Sequence, residues 1–276
     1  MKTSTLKRIF WGGLFGFCVG SAQAQATDPP AEVPSKFQYG IGFAGIHSPE
    51  YEGSDRYTFR LRPLLVLQYG RFRFTTARAG AILDRSGVGE RGASADLFNN
   101  DKWRASIGLR IDSGRKTSDS AYLAGLPDIK QTARARVLIN YQLTNEHSFE
   151  AAIAQDLLNR GGGAIASFDW RYLQRLSPST EWFVNAGIRA GDHTFMQTNF
   201  GILAGTTSVL PAFNASAGLR DLHAVTGLRY AISPRWMAFG NVETSRLMGS
   251  AVSSPLTKIR QSGGITLGLA YRCCGA

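Results

Sequence analysis

Along most of this 276-residue chain, apolar side chains alternate with side chains that are polar or small. Around residues 103–111, for example, Trp103, Ile107 and Ile111 share one set of alternate positions, while Arg104 and Ser106 occupy the other. Successive side chains of a β-strand point to opposite faces. The pattern therefore predicts strands with one apolar face and one wet face.

The length of these segments narrows the choice of β fold. Each runs to roughly ten residues, and a tilted strand needs about 9–11 residues to cross a bilayer. Strands of soluble domains are usually shorter, about 5–6 residues. Because lipid offers no hydrogen-bonding partner to the backbone, strands that cross it must close into a barrel. Glycine and charge on the less apolar face are typical of a wet lumen.

We predict twelve strands, near residues 37–46, 57–68, 71–83, 92–98, 102–112, 132–144, 147–156, 164–176, 180–191, 222–232, 235–247 and 261–272. The connections alternate between tight turns and longer loops, as in outer-membrane barrels with short periplasmic turns and longer external loops. The predicted fold class is therefore all-β, a transmembrane antiparallel up-and-down β-barrel in the outer membrane. The number of strands could also be anywhere from about 10 to 14. The strand at 92–98 is placed partly to keep short and long connections alternating, and loop 192–221 could contain further strand pairing.

The first 24 residues have the form of a secretory signal peptide. Positive residues precede a short apolar run, and a small-x-small motif ends at Ala24. The run is shorter than the roughly 20 residues of a membrane-spanning helix. We therefore predict a cleaved signal peptide at 1–24, a flexible periplasmic segment at 25–36 and the outer-membrane barrel at 37–276.

Several short motifs, in order along the chain, carry a resemblance to a known family. The first loop contains Pro49, Tyr51, Gly53, Ser54 and Asp55, and a later loop contains Ser254 and Pro255. Between these two loops lie further segments that carry the resemblance, at residues 62–64, 69–72, 199–202, 217–221 and 246–247. Together they resemble the MipA/OmpV family of outer-membrane proteins, over roughly residues 37–272.

The resemblance implies a role as well as a fold. The name-giving member of that family is described as a scaffold that links a lytic murein transglycosylase to a murein synthase. The predicted topology puts the first motif on the external side, away from such partners. The chain also departs from the family at its end, where Cys273 and Cys274 follow Tyr271-Arg272 in place of a terminal aromatic residue.

We expect no catalytic, cofactor-binding or metal site, and therefore no enzyme. Neighbours such as His47-Ser48 point to opposite faces of a strand, so they cannot form a Ser–His dyad. Glu50, Glu52 and Asp55 could hold a hard cation, but a calcium loop needs several more oxygens. Adjacent Cys273 and Cys274 match no metal-ligand spacing, and we expect no structural disulfide from them.

The charge of the chain is the remaining feature that bears on function. The formal net charge is +11 at pH 7, but an exported protein meets lipopolysaccharide and cell-wall carboxylates rather than nucleic acid. Many arginines fall on the less apolar strand faces, which predicts a basic lumen. The candidates are Arg60, Arg62, Arg104, Arg110, Arg134, Arg136, Arg171, Arg189 and Arg229. They either pair with acidic residues in a closed lumen or line a small anion-preferring channel.

Overall fold

The computed structural model of the protein describes residues 37–76 and 91–273. Twelve antiparallel strands close into a barrel, and each strand pairs with its neighbours in sequence, β1 with β12 included. The prediction of a twelve-strand up-and-down barrel is confirmed. The predicted signal peptide and periplasmic segment lie outside the described residues, as does part of the strand predicted at 71–83.

The strands are β1 Phe37–Pro49, β2 Tyr57–Tyr69, β3 Phe72–Thr75, β4 Gly92–Asn99, β5 Trp103–Asp112, β6 Thr132–Gln142, β7 His147–Asp156, β8 Ala164–Ser177, β9 Thr180–Gly191, β10 Gly218–Ala231, β11 Trp236–Leu247 and β12 Gln261–Cys273. Most strand bounds agree with the predicted ones to within about two residues. The exceptions are β1, which ends at Pro49 rather than at 46, β3, which the described residues take only to Thr75 where 83 was predicted, and β10, which starts at Gly218 rather than at 222.

The apolar residues of the alternation face outward. Phe43 and Leu61 are exposed on the outer surface, whereas Ala44 and Leu64, on the opposite face, are buried inside the barrel. Aromatic residues beside the tight turns, such as Trp236, also point outward, at the level where amphipathic rings prefer the membrane interface. The outer surface is therefore the apolar band that an outer-membrane barrel presents to lipid.

The two ends of the barrel differ in their connections. Tight turns join the strands at the end that holds both termini of the barrel, and the longer loops lie at the other end. The longer loops contain helix α1 His193–Phe200, helix α2 Gly249–Ser253 and two short 3-10 helices, Thr117–Asp119 and Ala121–Leu123. No helix in the described ranges is long and apolar enough to cross a membrane. Of the stretch at 192–221, residues 218–221 belong to β10, and the remaining loop adds only one isolated bridge, between Ile202 and Phe213.

One side of the lumen is filled with apolar side chains, which the sequence analysis did not anticipate. They come from the inward faces of β1, β2, β11 and β12: Ala44, Ile46, Leu64, Val66, Met237, Phe239 and Ala270. Gly268 faces the Phe239 ring so closely that an added Cβ would lie 2.2 Å from it. Glycine here makes room for a large ring inside the barrel, so the wet part of the lumen is confined to the remaining strands.

Cys273 is disulfide-bonded, so the expectation of no structural disulfide is wrong for this residue. The other two cysteines of the chain, Cys18 and Cys274, lie outside the described residues.

Candidate functional site

Four of the loops at the external end are here called the outer cap: residues 50–56, 113–131, 192–217 and 248–260. Most family-like motif residues lie in it, and several are buried. Tyr51 is 7% exposed, Ser54 1% and Ser254 3%. A motif that is buried in this way serves the packing of the cap and cannot offer a surface to a partner.

Backbone hydrogen bonds join the first motif to the segment that contains the second. Gly53 has a positive φ of 91°, and its carbonyl accepts hydrogen bonds from the amides of Lys258 and Ile259 at 2.9 and 3.1 Å. Lys258 also forms an ion pair with Asp55 at 3.7 Å. Ser54 Oγ accepts a hydrogen bond from the Arg56 amide. These contacts fix the loop after β1 against the loop before β12.

The second motif fixes its own loop and two further segments. Ser254 Oγ donates a 2.6 Å hydrogen bond to the Phe200 carbonyl and accepts one from the Leu256 amide. Tyr122 Oη donates to the Pro255 carbonyl at 3.1 Å. Buried backbone carbonyls need such partners, because an unmade hydrogen bond in a low-dielectric interior is costly.

Apolar packing completes the outer cap. Phe195, Met196 and Phe200 of α1 pack on Leu247 and Ala251. A second cluster contains Tyr51, Leu123, Leu126, Ile202 and Leu256. Burial raises the pKa of Tyr51 to about 12 and lowers the pKa of Arg115, since both charged forms are poorly solvated there. The loops at this end form a packed layer of the protein.

Ion pairs lie directly beneath the cap. Arg134 Nε contacts Asp112 at 3.0 Å, and its other nitrogens donate to the carbonyls of Gly162 and Gly163. The guanidinium of Arg134 lies 5.3 Å from the Phe195 ring centre, and that of Arg220 lies 5.6 Å from the same ring. The cap and the charged lumen are therefore coupled through α1.

Asp221 is the centre of a second charged group. It is 1% exposed and pairs with Arg189 at 2.9 Å, with Arg220 and with His223 Nδ1 at 3.3 Å. His223 Nε2 in turn lies 2.8 Å from Asp169. Both ring nitrogens of His223 thus bind carboxylates, which leaves neither of them to activate a serine.

Sequence reasoning missed Arg220 and Asp221 because it started the strand at 222. A register shift between Leu219 and Asp221 lets both residues face inward, as an extra residue in a bulged strand does. The Arg-Asp pair of the motif at 217–221 was the available signal.

The predicted lumen arginines differ in their contacts in the structure. Six form ion pairs with acidic side chains: Arg104 with Asp96, Arg134 with Asp112, Arg136 and Arg171 with Glu150, Arg189 with Asp221, and Arg229 with Glu181 at 3.9 Å. Arg60 donates instead to Ser48 Oγ and to the Glu50 carbonyl. Arg62 is exposed, and Arg110 lines the cavity described next.

A cavity of about 480 Å³ occupies the wet side of the lumen. Its wall consists of the inward faces of strands β3 to β9, and it reaches the tight turns that contain Asn100 and Glu146. Seven basic and three acidic side chains of the described residues line it. This basic cavity, as we call it, extends to the periplasmic end, opposite the outer cap.

A closed antiparallel barrel with an apolar outer surface, tight turns at one end and long loops at the other defines an outer-membrane β-barrel protein. The family model described as "MltA-interacting protein MipA" matches residues 41–273. The chain therefore belongs to the MipA family, which confirms the resemblance found in its motifs.

Solved structures of other outer-membrane proteins are similar in shape. The NanC porin aligns with a TM-score of 0.44 and 8% identity, over 84% of this chain and 98% of that chain. The KdgM porin aligns with a TM-score of 0.41 and 11% identity, over 84% and 98%. OmpT of Vibrio cholerae aligns with a TM-score of 0.38 and 6% identity, over 86% of this chain and 97% of that chain. No curated protein matches the sequence significantly, and similarity at these levels transfers no property of those porins to this chain.

Proposed function

We propose that this protein is a non-enzymatic scaffold of the outer membrane, whose periplasmic end binds a lytic murein transglycosylase and a murein synthase. The observation that carries the proposal is the family match over residues 41–273, since the family is described by its interaction with MltA. Lipid and lipopolysaccharide surround the barrel and hold it in place, and the partner enzymes bind from the periplasm.

The burial of the motif residues supports this arrangement. The predicted topology put the first motif on the external side, far from periplasmic enzymes. Because Tyr51, Ser54 and Ser254 are buried in the outer cap, their role is to close that end, and partner binding falls to the opposite rim. That rim exposes the basic side chains of Lys102, Arg175 and Arg235, which can steer an acidic partner surface.

A binding assay on matched variants tests the scaffold role. The full protein in detergent is immobilised and incubated with each purified murein enzyme. We expect the double variant Lys102→Glu/Arg235→Glu to bind less, because it reverses two charges on the periplasmic rim. Lys116→Glu/Lys130→Glu, with the same charge change on exposed residues of the outer cap, is the control. No binding by the native protein, or equal losses in both variants, would contradict the proposal.

A small anion-preferring channel is the second candidate function. The excess of basic over acidic side chains in the basic cavity favours it, because charged rings select the permeant ion by its sign. The outer cap opposes it, since packed loops cover the external end. Conductance across a planar bilayer decides: an anion-selective current supports the channel, and a cation-selective current excludes it.

Export itself is part of the proposal. If the segment at 1–24 is removed, the mature protein begins at Gln25, which N-terminal sequencing of protein from outer-membrane fractions would show.

A further inference from the structure

Two polar groups in the wall of the basic cavity are buried without a hydrogen-bond partner. Arg171 of β8 and Asn185 of β9 are direct cross-strand neighbours, and both line the cavity. Within the described part of the chain, Arg171 Nε and Asn185 Oδ1 have no partner. The Asn185 side chain is buried at 6% exposure. Buried donors and acceptors are normally satisfied, so an unsatisfied pair on a cavity wall points to a ligand.

The charge around this pair favours an anion. Glu150, which is 4% exposed, accepts from Arg171 Nη2 at 2.9 Å through one oxygen and from Arg136 Nη2 at 3.1 Å through the other. A single carboxylate thus lies between two guanidiniums, and in the lining of the cavity as a whole basic side chains outnumber acidic ones by seven to three. In a partly desolvated cavity that charge attracts an anion more strongly than it would in bulk water.

The size and lining of the cavity narrow the ligand further. Sites for small molecules usually have volumes of about 300–1,000 Å³, and the basic cavity has about 480 Å³. Its wall includes Ser106, Asn140 and Ser148 beside the arginines, so it offers donors and acceptors to a polar molecule. A ligand with one carboxylate and several hydroxyl or amide groups, no larger than roughly a disaccharide, matches these groups.

We propose that the basic cavity binds a small carboxylate-bearing saccharide or glycopeptide fragment that enters from the periplasm. The ligand carboxylate accepts from Arg171 Nε, and a hydroxyl or amide N–H of the ligand donates to Asn185 Oδ1. The bond to a charged guanidinium supplies the affinity. The site is the Arg171–Asn185 part of the cavity wall, and it does not depend on the scaffold role, which concerns the exposed basic side chains of the periplasmic rim.

Calorimetric titration of the refolded mature protein in detergent tests this site. The probes are muramyl dipeptide and the hyaluronan disaccharide, which carry carboxylates, and N,N′-diacetylchitobiose, which is neutral. We expect at least one carboxylate probe to bind, with an affinity that falls as salt is added, while the neutral sugar does not bind. Binding of muramyl dipeptide alone assigns the site to cell-wall fragments. Binding of the hyaluronan disaccharide alone assigns it to acidic glycans.

Arg171→Gln removes the donor and should weaken binding about tenfold or more, as expected for loss of a hydrogen bond to a charged group. Arg175→Gln is the matched control, since Arg175 lies on the same strand but is exposed and outside the cavity lining. Native affinity in a folded Arg171→Gln protein, or equal binding of the neutral sugar, overturns the proposal.

Asn185→Leu keeps the test decisive if Arg171→Gln fails to fold, as judged by heat-modifiable migration on a gel. It removes the acceptor and leaves the ion pairs of Glu150 intact. We expect a several-fold loss of affinity, and an unchanged affinity contradicts the site. The murein-enzyme binding assay on the same variant keeps the two proposals apart, because the scaffold role predicts no change there.

Discussion

The two ends of this barrel are built in opposite ways. At the external end, four loops pack through apolar clusters and satisfied backbone hydrogen bonds, and their motif residues are buried. At the periplasmic end, tight turns surround a cavity with seven basic side chains, and two buried polar atoms in its wall have no partner in the described residues. The external end is closed by packed loops, whereas the periplasmic end has a cavity whose wall leaves groups available to a ligand.

This difference explains what the recognisable motifs do. Gly53, Ser54 and Ser254 are short residues that reach backbone atoms of neighbouring loops, so they specify how the outer cap is assembled. A residue that is recognisable in sequence is therefore not always one that meets a partner. In this barrel the chemistry open to a ligand lies in arginines and amides that no short motif marks.

The largest effect is expected where the outer cap meets the charged lumen. Arg134→Ala removes a buried guanidinium, leaves Asp112 and two carbonyls without their donor, and should lower the free energy of unfolding by about 3–5 kcal/mol. Arg175→Ala, at the periplasmic end and exposed, should cost at most about 1 kcal/mol. Urea unfolding in lipid vesicles, followed by tryptophan fluorescence, measures both. Equal losses would show that the two ends do not differ in packing.

Phe200→Ala tests whether the cap is a separate layer. Truncation of a buried aromatic residue costs about 3–5 kcal/mol, and Phe200 is 1% exposed. We expect that loss to open the cap locally, so amide exchange should rise in 192–217 and 248–260 while the strands stay protected. Leu203→Ala, at a position 61% exposed, is the control. Faster exchange throughout the strands would mean that the cap and barrel unfold together.

Ser254→Ala should have an intermediate effect. It leaves the Phe200 carbonyl and the Leu256 amide without their side-chain partner, which costs about 1–3 kcal/mol. Ser250→Ala removes a comparable hydrogen bond, to the Ser216 carbonyl, at an exposed position, where water can replace it. Thermal unfolding of the two variants gives the comparison. If Ser250→Ala is the more damaging change, the second motif does not act through these buried bonds.

Gly53→Ala separates backbone strain from packing. A side chain at positive φ costs about 1–2 kcal/mol, and this applies to Gly53 at 91° and to Gly205 at 82°. An added Cβ at Gly53 would also lie 3.0 Å from Thr257 Oγ1, whereas at Gly205 nothing lies within 4 Å. We therefore expect Gly53→Ala to lower the melting temperature more than Gly205→Ala. Equal shifts would show that Thr257 moves aside without cost.

The smallest effect is confined to alkaline pH. The pKa of Tyr51 is raised from 10.0 to about 12 by burial in the cap, so the phenolate forms more easily in the unfolded chain. Its contribution to cap stability is complete below pH 10 and is lost as the pH rises toward 12. Tyr51→Phe should remove that part of the alkaline loss, as measured by amide exchange of the cap between these pH values. Identical alkaline curves for native and variant proteins would show that Tyr51 is not buried in this way.

The local pattern of the sequence was enough to predict the barrel. The alternation of Phe43 with Ala44 and of Leu61 with Arg62 assigned the faces of β1 and β2, and tight turns such as Tyr69-Gly70 set the strand ends. The same period assigned the candidate arginines to the less apolar strand faces, because a period of two fixes the face of every residue in a regular strand. Asp221 was missed because a register shift breaks that period.

What only the tertiary structure decided are the contacts between residues far apart in the chain. Nothing near Ser254 in sequence indicates that it donates to Phe200, 54 positions away, and nothing near Phe239 indicates that it fills one side of the lumen with Leu64. The cross-strand pair of Arg171 and Asn185 likewise exists only through the register of β8 on β9. The alternation of side chains between two faces is a property of each single strand. The sequence alone therefore determined a barrel and which residues face its inside and its outside. Register and loop packing depend on the whole closed sheet, and they decided which end is packed and where a ligand can bind.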